Sequence, residues 1–252
     1  MLRYVFLGLI QGLTEFLPVS SSAHLLLFQR WLGLEEPGPL LVAFLHLGTL
    51  LALVVWFWQD LLWLASAFVP QGKEARRYLG LLVAGLIPVI VLALIFGKDL
   101  ERMFAMPRLA SALLFLTALL LFLADRVKEG EGRVPKVGQA LLIGLAQAAA
   151  ILPGLSRSGA TVTTGLFLGL RRDEAFRFSF LLGIPTFIGS ALFAVWGGSG
   201  AENWLGLGIG TLTAFVFGFL GLALFRRVLL RRSLWPFSLY CLLLGLAGLI
   251  LG

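Results

Sequence analysis

Residues 11–24 read QGLTEFLPVSSSAH. Gln11, Glu15, Ser20, Ser21, Ser22 and His24 interrupt the first apolar region of a 252-residue chain that is 59% apolar and 13% charged, with a mean hydropathy of +0.97. A soluble domain carries about twice that share of charge and has no surface on which to place so many apolar runs. The composition suits an integral membrane protein, so each polar residue in this stretch needs a partner or a function. The N-terminal MLRYVF lacks the basic n-region and the small-residue cleavage site of a secretory signal, so the first helix is expected to be retained. The net charge of +7 does not point to nucleic acid, because the basic residues lie in short loops between apolar segments. The single cysteine, Cys241, lies in the apolar run SLYCLLLGLAGLI, where it can form no intrachain disulfide and reads as lipid-facing or packing.

Apolar runs divide the chain into ten segments, roughly 2–17, 23–34, 40–58, 78–97, 107–124, 138–152, 159–170, 176–196, 204–225 and 234–251. A helix crossing a hydrocarbon core of ~30 Å needs about 20 residues. The third, fourth, fifth, eighth, ninth and tenth segments meet or approach that length. The other four form two pairs, joined by the polar tips PVSSS and PGLSRSG, and read as re-entrant helical hairpins. The expected fold is therefore an all-α polytopic membrane protein, with six full transmembrane helices and two re-entrant hairpins in a single membrane domain, residues 1–252.

The second hairpin echoes the first. Gln11, Ser20 and Ser22 recur 136 residues later as Gln147, Ser156 and Ser158, and FLHLG at 44–48 is echoed by FLLG at 180–183. Three full spans separate the hairpins, which inverts the second relative to the first; the expected halves are approximately 1–106 and 107–252. Inverted repeats of this kind form polar sites near the midplane. On this topology 14 of the 20 Lys and Arg residues lie opposite the N-terminus and 5 on its side, so both termini are expected outside.

Glu15 is a carboxylate at membrane depth, costly to bury unpaired, and Gln11 shares its helix face at i, i+4. A lipid-interface glutamate is the bland alternative. His24 follows the serine tip, and a neutral imidazole there suits proton transfer unless it is only a packing residue. In PGLSRSGAT, Arg157 is flanked by Ser156 and Ser158 and followed by Thr161 at a helix start. Guanidinium, hydroxyls and free backbone N–H groups suit phosphate oxyanions; a structural salt bridge is the alternative. Together the tips offer the groups that phosphoryl transfer requires, in surroundings that suit a lipid phosphate. His46, in FLHLGTLLAL, reads equally as packing, as hydrogen-bonding support or as a direct participant. Asp173 and Glu174 read as a solvated charge cluster.

QGLTEFLPVSSSAH and LPGLSRSGAT closely resemble the paired signatures of the bacterial undecaprenyl-diphosphate phosphatase family, enzymes linked to bacitracin resistance. FLHLGTLLAL and FRFSFLLGIPTFIGS resemble that family's third and eighth segments, so the likeness runs from about residue 5 to 225. It implies hydrolysis of undecaprenyl diphosphate to the monophosphate and inorganic phosphate, a divalent cation (Mg2+ or Ca2+), and a site opening to the outer face of the bacterial cytoplasmic membrane. The expected partners are a polyprenyl diphosphate lipid and the bilayer, with no nucleic acid; self-association, if any, is as a homodimer. Carried over by motif, the catalytic set is Glu15, Ser21, His24 and Arg157. The phosphate-binding set is Gln11, Ser20, Ser22, Ser156, Ser158 and Thr161, with Glu15 linked to the metal. Many members have glutamate where this chain has Gln11, which leaves a metal one anionic protein ligand and draws the rest from diphosphate oxygens and water. The nucleophile stays open among Ser21 activated by His24, His24 itself and a water it activates. A lipid or anion transporter is the competing class, since inverted repeats with broken helices also build transporters. A type-2 phosphatidic-acid phosphatase is disfavoured, because no second histidine follows SRSG.

Overall fold

The computed structural model describes residues 1–31, 38–104, 106–197 and 203–251. Among them the chain forms α1 (Leu2–Phe16), α2 (Ser21–Trp31), α3 (Pro39–Trp56), α4 (Trp58–Ala65), α5 (Lys73–Phe104), α6 (Pro107–Asp125), α7 (Val137–Ala149), α8 (Arg157–Phe167), α9 (Arg172–Gly197), α10 (Trp204–Leu230) and α11 (Trp235–Leu251). The described residues contain no β-strand, only an isolated bridge between Gly132 and Leu170.

Local chemistry sets the two breaks that matter. Pro18 has no backbone N–H and biases its predecessor towards extended geometry, so α1 stops at Leu17 (φ −64°, ψ 145°). Ser20 then adopts a left-handed backbone (φ 66°) and α2 begins. In the second tip Pro153 and Gly154 (φ 97°) turn the chain. Ser156 caps α8 by accepting a hydrogen bond from the Gly159 amide at 3.1 Å. The four short helices around these tips, 15, 11, 13 and 11 residues long, each rise less than about 25 Å.

Helices α5 (over Lys73–Phe96), α6 and α10 are long and apolar enough to cross a membrane, and Leu40–Trp56 with Trp58–Phe68 forms a fourth, bent candidate. Only 17% of the most apolar stretch of α5 is buried, and Leu94, Ile95 and Ile87 face outward. A helix so apolar and so little covered by protein requires an apolar solvent. The expected straight span 40–58 is instead broken at Phe57 by a 72° bend. Phe57 leaves helical geometry (φ −99°, ψ 21°) and anchors its buried ring 5.9 Å from that of Phe176, sending α4 off at an angle. The fourth segment is also longer than expected, since α5 begins at Lys73 and runs to Phe104. α11 is 17 residues, slightly short of a full crossing by length.

α1 packs on α10 and α3, α7 on α5, α3 on α9, and α6 on α11. Small residues let the backbones touch: a Cβ on Gly8 would lie 2.6 Å from the Gly210 carbonyl oxygen, and one on Gly144 would lie 2.0 Å from that of Gly85. Behind the tips, Phe16, Phe180, Phe176 and Phe225 form an edge-packed aromatic cluster.

One reading changes and another narrows. Glu174 is not part of a solvated cluster: it is buried, accepts from the Tyr78 hydroxyl at 2.7 Å and faces Arg177, which pairs with Asp60 on α4. Burial pushes the Glu174 carboxyl up to about 7, partly offset by the Tyr78 hydrogen bond and by Arg177. Asp173 stays outside and pairs with Arg171. Cys241 is fully buried, so it packs inside, 3.6 Å from the Pro18 carbonyl oxygen, and does not face lipid.

Candidate active site

The break after α1 leaves Glu15 one residue from the end of a helix whose next turn cannot form, with its buried carboxylate directed towards the other tip. Gln11, one turn earlier, donates its Nε2–H to that carboxylate at 2.9 Å, and Ser21 Oγ donates to it at 2.5 Å. The third donor comes from 142 residues away: Arg157 Nη2 forms an ion pair with Glu15 Oε1. The guanidinium is further held by Thr186 Oγ1 at 3.2 Å from Nη1 and lies 3.7 Å above the Phe187 ring. A buried carboxylate with three donors and a half-buried cation with a carboxylate and an aromatic face satisfy one another.

The backbones of the tips are also joined. The Gly154 amide donates to Ser20 Oγ at 3.2 Å, and Ser158 Oγ donates to the Leu17 carbonyl at 3.2 Å. Thr117 on α6 holds the second tip, donating to the Gly154 carbonyl at 2.9 Å and accepting from the Ser156 amide at 3.0 Å. The repeat seen in sequence has a geometric echo, since Ser20 and Ser22 lie 3.2 Å apart through their hydroxyls and so do Ser156 and Ser158.

Gln11, Glu15, Ser21 and Arg157 are thus brought together. Most of the hydroxyls assigned to phosphate binding are instead engaged with the protein: Ser156 caps α8, Ser158 reaches Leu17, Ser20 and Ser22 meet each other, and Thr161 donates to the Arg157 carbonyl at 2.8 Å. His24 stands apart from the carboxylate. Its Nδ1 lies 2.8 Å from the Ser20 carbonyl oxygen and its Nε2 lies 2.6 Å from the Tyr240 hydroxyl. A carbonyl only accepts, so Nδ1 carries the hydrogen and Nε2 of the neutral ring accepts from Tyr240. Activation of Ser21 by His24 is therefore not the arrangement present, because the hydrogen bond of Ser21 goes to Glu15. His46 donates from Nδ1 to the Val42 carbonyl at 2.8 Å and packs 6.3 Å from Phe187, in a supporting position.

Between the tips lies a cavity walled by Phe16, Phe180 and Phe187, into which Glu15, Arg157, Ser158, Thr161 and Ser179 bring polar atoms. A profile of the family described as "Bacitracin resistance protein BacA" matches residues 4–247. The chain belongs to the BacA family. A relative from Desulfatibacillum aliphaticivorans is 42% identical over 99% of this chain and 98% of its own. One from Rubrobacter xylanophilus is 42% identical over 95% of this chain and 94% of its own, and one from Chloroherpeton thalassium is 38% identical over 97% and 94%. Each of the three is called undecaprenyl-diphosphatase.

In this BacA-family chain the donor set bears on the expected cation. No group of three or more His, Cys, Asp or Glu side chains among the described residues is placed to hold a metal ion. Gln11 Oε1 is nevertheless buried without a hydrogen-bond partner, one turn from the Glu15 carboxylate. Carboxylate and amide oxygens from two side chains one helical turn apart suit an ion of the Mg2+ type that takes most of its ligands from phosphate and water. Tyr240, Thr117, Thr186 and Phe187 were not found from the sequence. Thr186 and Phe187 stand seven and eight residues beyond Ser179 on one face of α9, a spacing that could have marked them. Tyr240 lies 216 residues from His24 and carries no local signal beyond a phenol in an apolar helix.

Proposed function

We propose that this chain is an undecaprenyl-diphosphate phosphatase that releases inorganic phosphate and returns undecaprenyl phosphate for cell-wall synthesis. The observation that carries the reading is the meeting of Ser21 and Glu15 from one tip with Arg157 from the other, the latter two lining one cavity, in a BacA-family chain whose relatives are named for this hydrolysis. The geometry favours Ser21 as nucleophile with Glu15 as its base, since the hydroxyl already donates to the carboxylate at 2.5 Å. Ser21 Oγ attacks the terminal phosphorus, its proton passes to Glu15, and the bond from that phosphorus to the bridging oxygen breaks as undecaprenyl phosphate leaves. Glu15 passes that proton to the departing undecaprenyl phosphate; water, deprotonated by Glu15, then attacks the phosphoserine, and the proton returns to Ser21 as the Ser21–phosphorus bond breaks and phosphate leaves.

Arg157 has five N–H donors, and its described partners are Glu15 and Thr186. The remaining donors are available to phosphate oxygens, where charge builds during transfer. Glu15 and Gln11 Oε1 would hold a divalent cation, Mg2+ or Ca2+, which supplies neutralisation of the diphosphate charge. His24, through the Ser20 carbonyl, holds the left-handed tip that presents Ser20, Ser21 and Ser22.

The short helices flanking each tip support two re-entrant hairpins, and the charge count supports both termini outside, with the site opening to the outer face of the bacterial cytoplasmic membrane. An inverted repeat is supported by matched crossings: Gly8 of α1 meets Gly210 of α10, and Gly144 of α7, 136 residues on, meets Gly85 of α5. The contacts of α3 with α9 and of α6 with α11 support the same pairing of halves, with the boundary proposed between α6 and α7. The test is phosphate release from undecaprenyl diphosphate by the purified protein. Binding without release by the wild type would sink the enzyme and favour a lipid transporter.

A further inference from the structure

Ser179 Oγ is buried without a hydrogen-bond partner and belongs to a residue lining the cavity between the tips. Ser179 is 5% exposed and sits on α9, one turn before Gly183. A Cβ on Gly183 would lie 3.6 Å from Arg157 Nη1. This face of α9 therefore fronts the guanidinium.

A serine inside a helix ordinarily returns its hydrogen to a carbonyl of the preceding turn. Thr161 and Thr186 in the same site do so, at 2.8 and 2.7 Å. Ser179 does not. An unpaired buried hydroxyl is a standing cost to the fold unless something outside the chain meets it. The other hydroxyls near the cavity already have protein partners, since Ser21 donates to Glu15, Ser158 to Leu17 and Thr161 to Arg157.

We propose that Ser179 is a substrate-binding residue whose hydroxyl donates to a non-bridging oxygen of the diphosphate held against Arg157. This deepens the phosphatase reading and rests on it for the identity of the lipid, but the oxyanion contact itself requires only a diphosphate group. The space that Ser179 and Arg157 both line is about 10 Å³, room for no more than one water, so α9 and the tips part as the anion enters and supplies the acceptor. Ser179 and Arg157 then grip the same group from α9 and from the second tip.

The experiment compares wild type with Ser179→Ala in detergent, by thermal melting with and without inorganic pyrophosphate. The unliganded variant should melt at or above the wild-type temperature, because an orphaned group has been removed. Its pyrophosphate affinity should fall about ten-fold, the worth of one hydrogen bond to a charged acceptor, and kcat/KM on undecaprenyl diphosphate should fall to match. Unchanged pyrophosphate affinity, absence of pyrophosphate binding by the wild type, or a clear drop in the unliganded melting temperature would each overturn the proposal. Wild type that binds pyrophosphate in a Ser179-dependent way but releases no phosphate from the lipid would instead overturn the phosphatase reading and leave this contact standing.

Discussion

Arg157→Ala should cost both folding stability and turnover, and the two losses can be separated. In the wild type the Glu15 side chain is 5% exposed and receives Gln11, Ser21 and Arg157. Without Arg157, two neutral donors remain on a buried anion whose counter-ion is gone. Breaking a buried pair from one side costs about 3–5 kcal/mol. At roughly 2–4 °C per kcal/mol for a chain of this size, the melting temperature in detergent should fall by about 10 °C. Glu15→Gln should also destabilise, by stranding the cation. The double variant Glu15→Gln/Arg157→Met carries no stranded charge and should recover most of the loss, leaving a coupling of about 2–3 kcal/mol in the double-mutant cycle. Turnover should stay about 10³-fold down or lower in all three, since the base or the phosphate donor is missing in each. A melting temperature for Arg157→Ala within about 2 °C of wild type would refute the buried pair, and with it the meeting of the two tips. Retained turnover in that variant would refute Arg157 as the phosphate clamp.

Glu174 should make stability depend on pH. Its folded pKa of about 7 lies above the ordinary 4.5, so the folded state keeps the proton longer. The stabilisation is full below about pH 4.5 and is lost as pH rises through about 7, an effect of order 2–3 kcal/mol. Thermal melts of Glu174→Gln across that window should show a flatter profile than wild type, and an equal slope would dismiss the effect. Tyr240→Phe keeps the ring stacked on His24 at 5.5 Å but removes the hydroxyl from Nε2; kcat should drop about ten-fold with KM little changed, and an unaltered kcat would count against the positioning role. Gly154→Ala places a side chain at φ 97° and a Cβ 2.0 Å from the Ala110 carbonyl oxygen. More than about 3 kcal/mol should be lost, seen as little folded protein on size exclusion, whereas a well-folded variant would show that the second tip is drawn too tightly.

Much of the architecture was legible because lipid leaves few options. Apolar runs gave the long helices α6 and α10 nearly as they stand and the apolar middle of α5, and Pro18 and Pro153 marked the two breaks through their missing N–H groups. The bend at Phe57 was not legible, because it depends on where one ring finds Phe176 and Phe180, and no local signal in VVWFWQD announces that. The same division holds in the site. Glu15 and Arg157 were found because charges at membrane depth are conspicuous. Their mutual pairing was not, because a one-dimensional reading cannot say which opposite charge sits across the cavity. The protein partners of the serines were not legible for a related reason: Ser156 at a helix start also serves as an ordinary cap, and only coordinates show which hydroxyls already have a partner. Glu174 was misjudged because Arg171, Arg172 and Asp173 beside it look like solvent, while Tyr78 waits on another helix.

Charge balance gives the last prediction. In the free protein Glu15 and Arg157 cancel, which is what allows both to sit at membrane depth. A diphosphate group adds about two or more negative charges to a cavity whose lining offers one described cation, Arg157. If Arg157 turns towards the phosphate, Glu15 loses its counter-ion at the moment the local charge becomes more negative. On the proposed reading a divalent cation accompanies the diphosphate, held by oxygens of Glu15 and Gln11, one helical turn apart. Pyrophosphate affinity should then fall by about ten-fold or more when divalent cations are chelated, while the melting temperature of the unliganded protein is unaffected, because the resting pair needs no cation. Gln11→Glu should sharpen the dependence by adding a second anionic oxygen. Pyrophosphate binding that is indifferent to chelation would mean that Glu15 and Arg157 stay paired throughout and that the anion is held by Arg157's remaining donors alone.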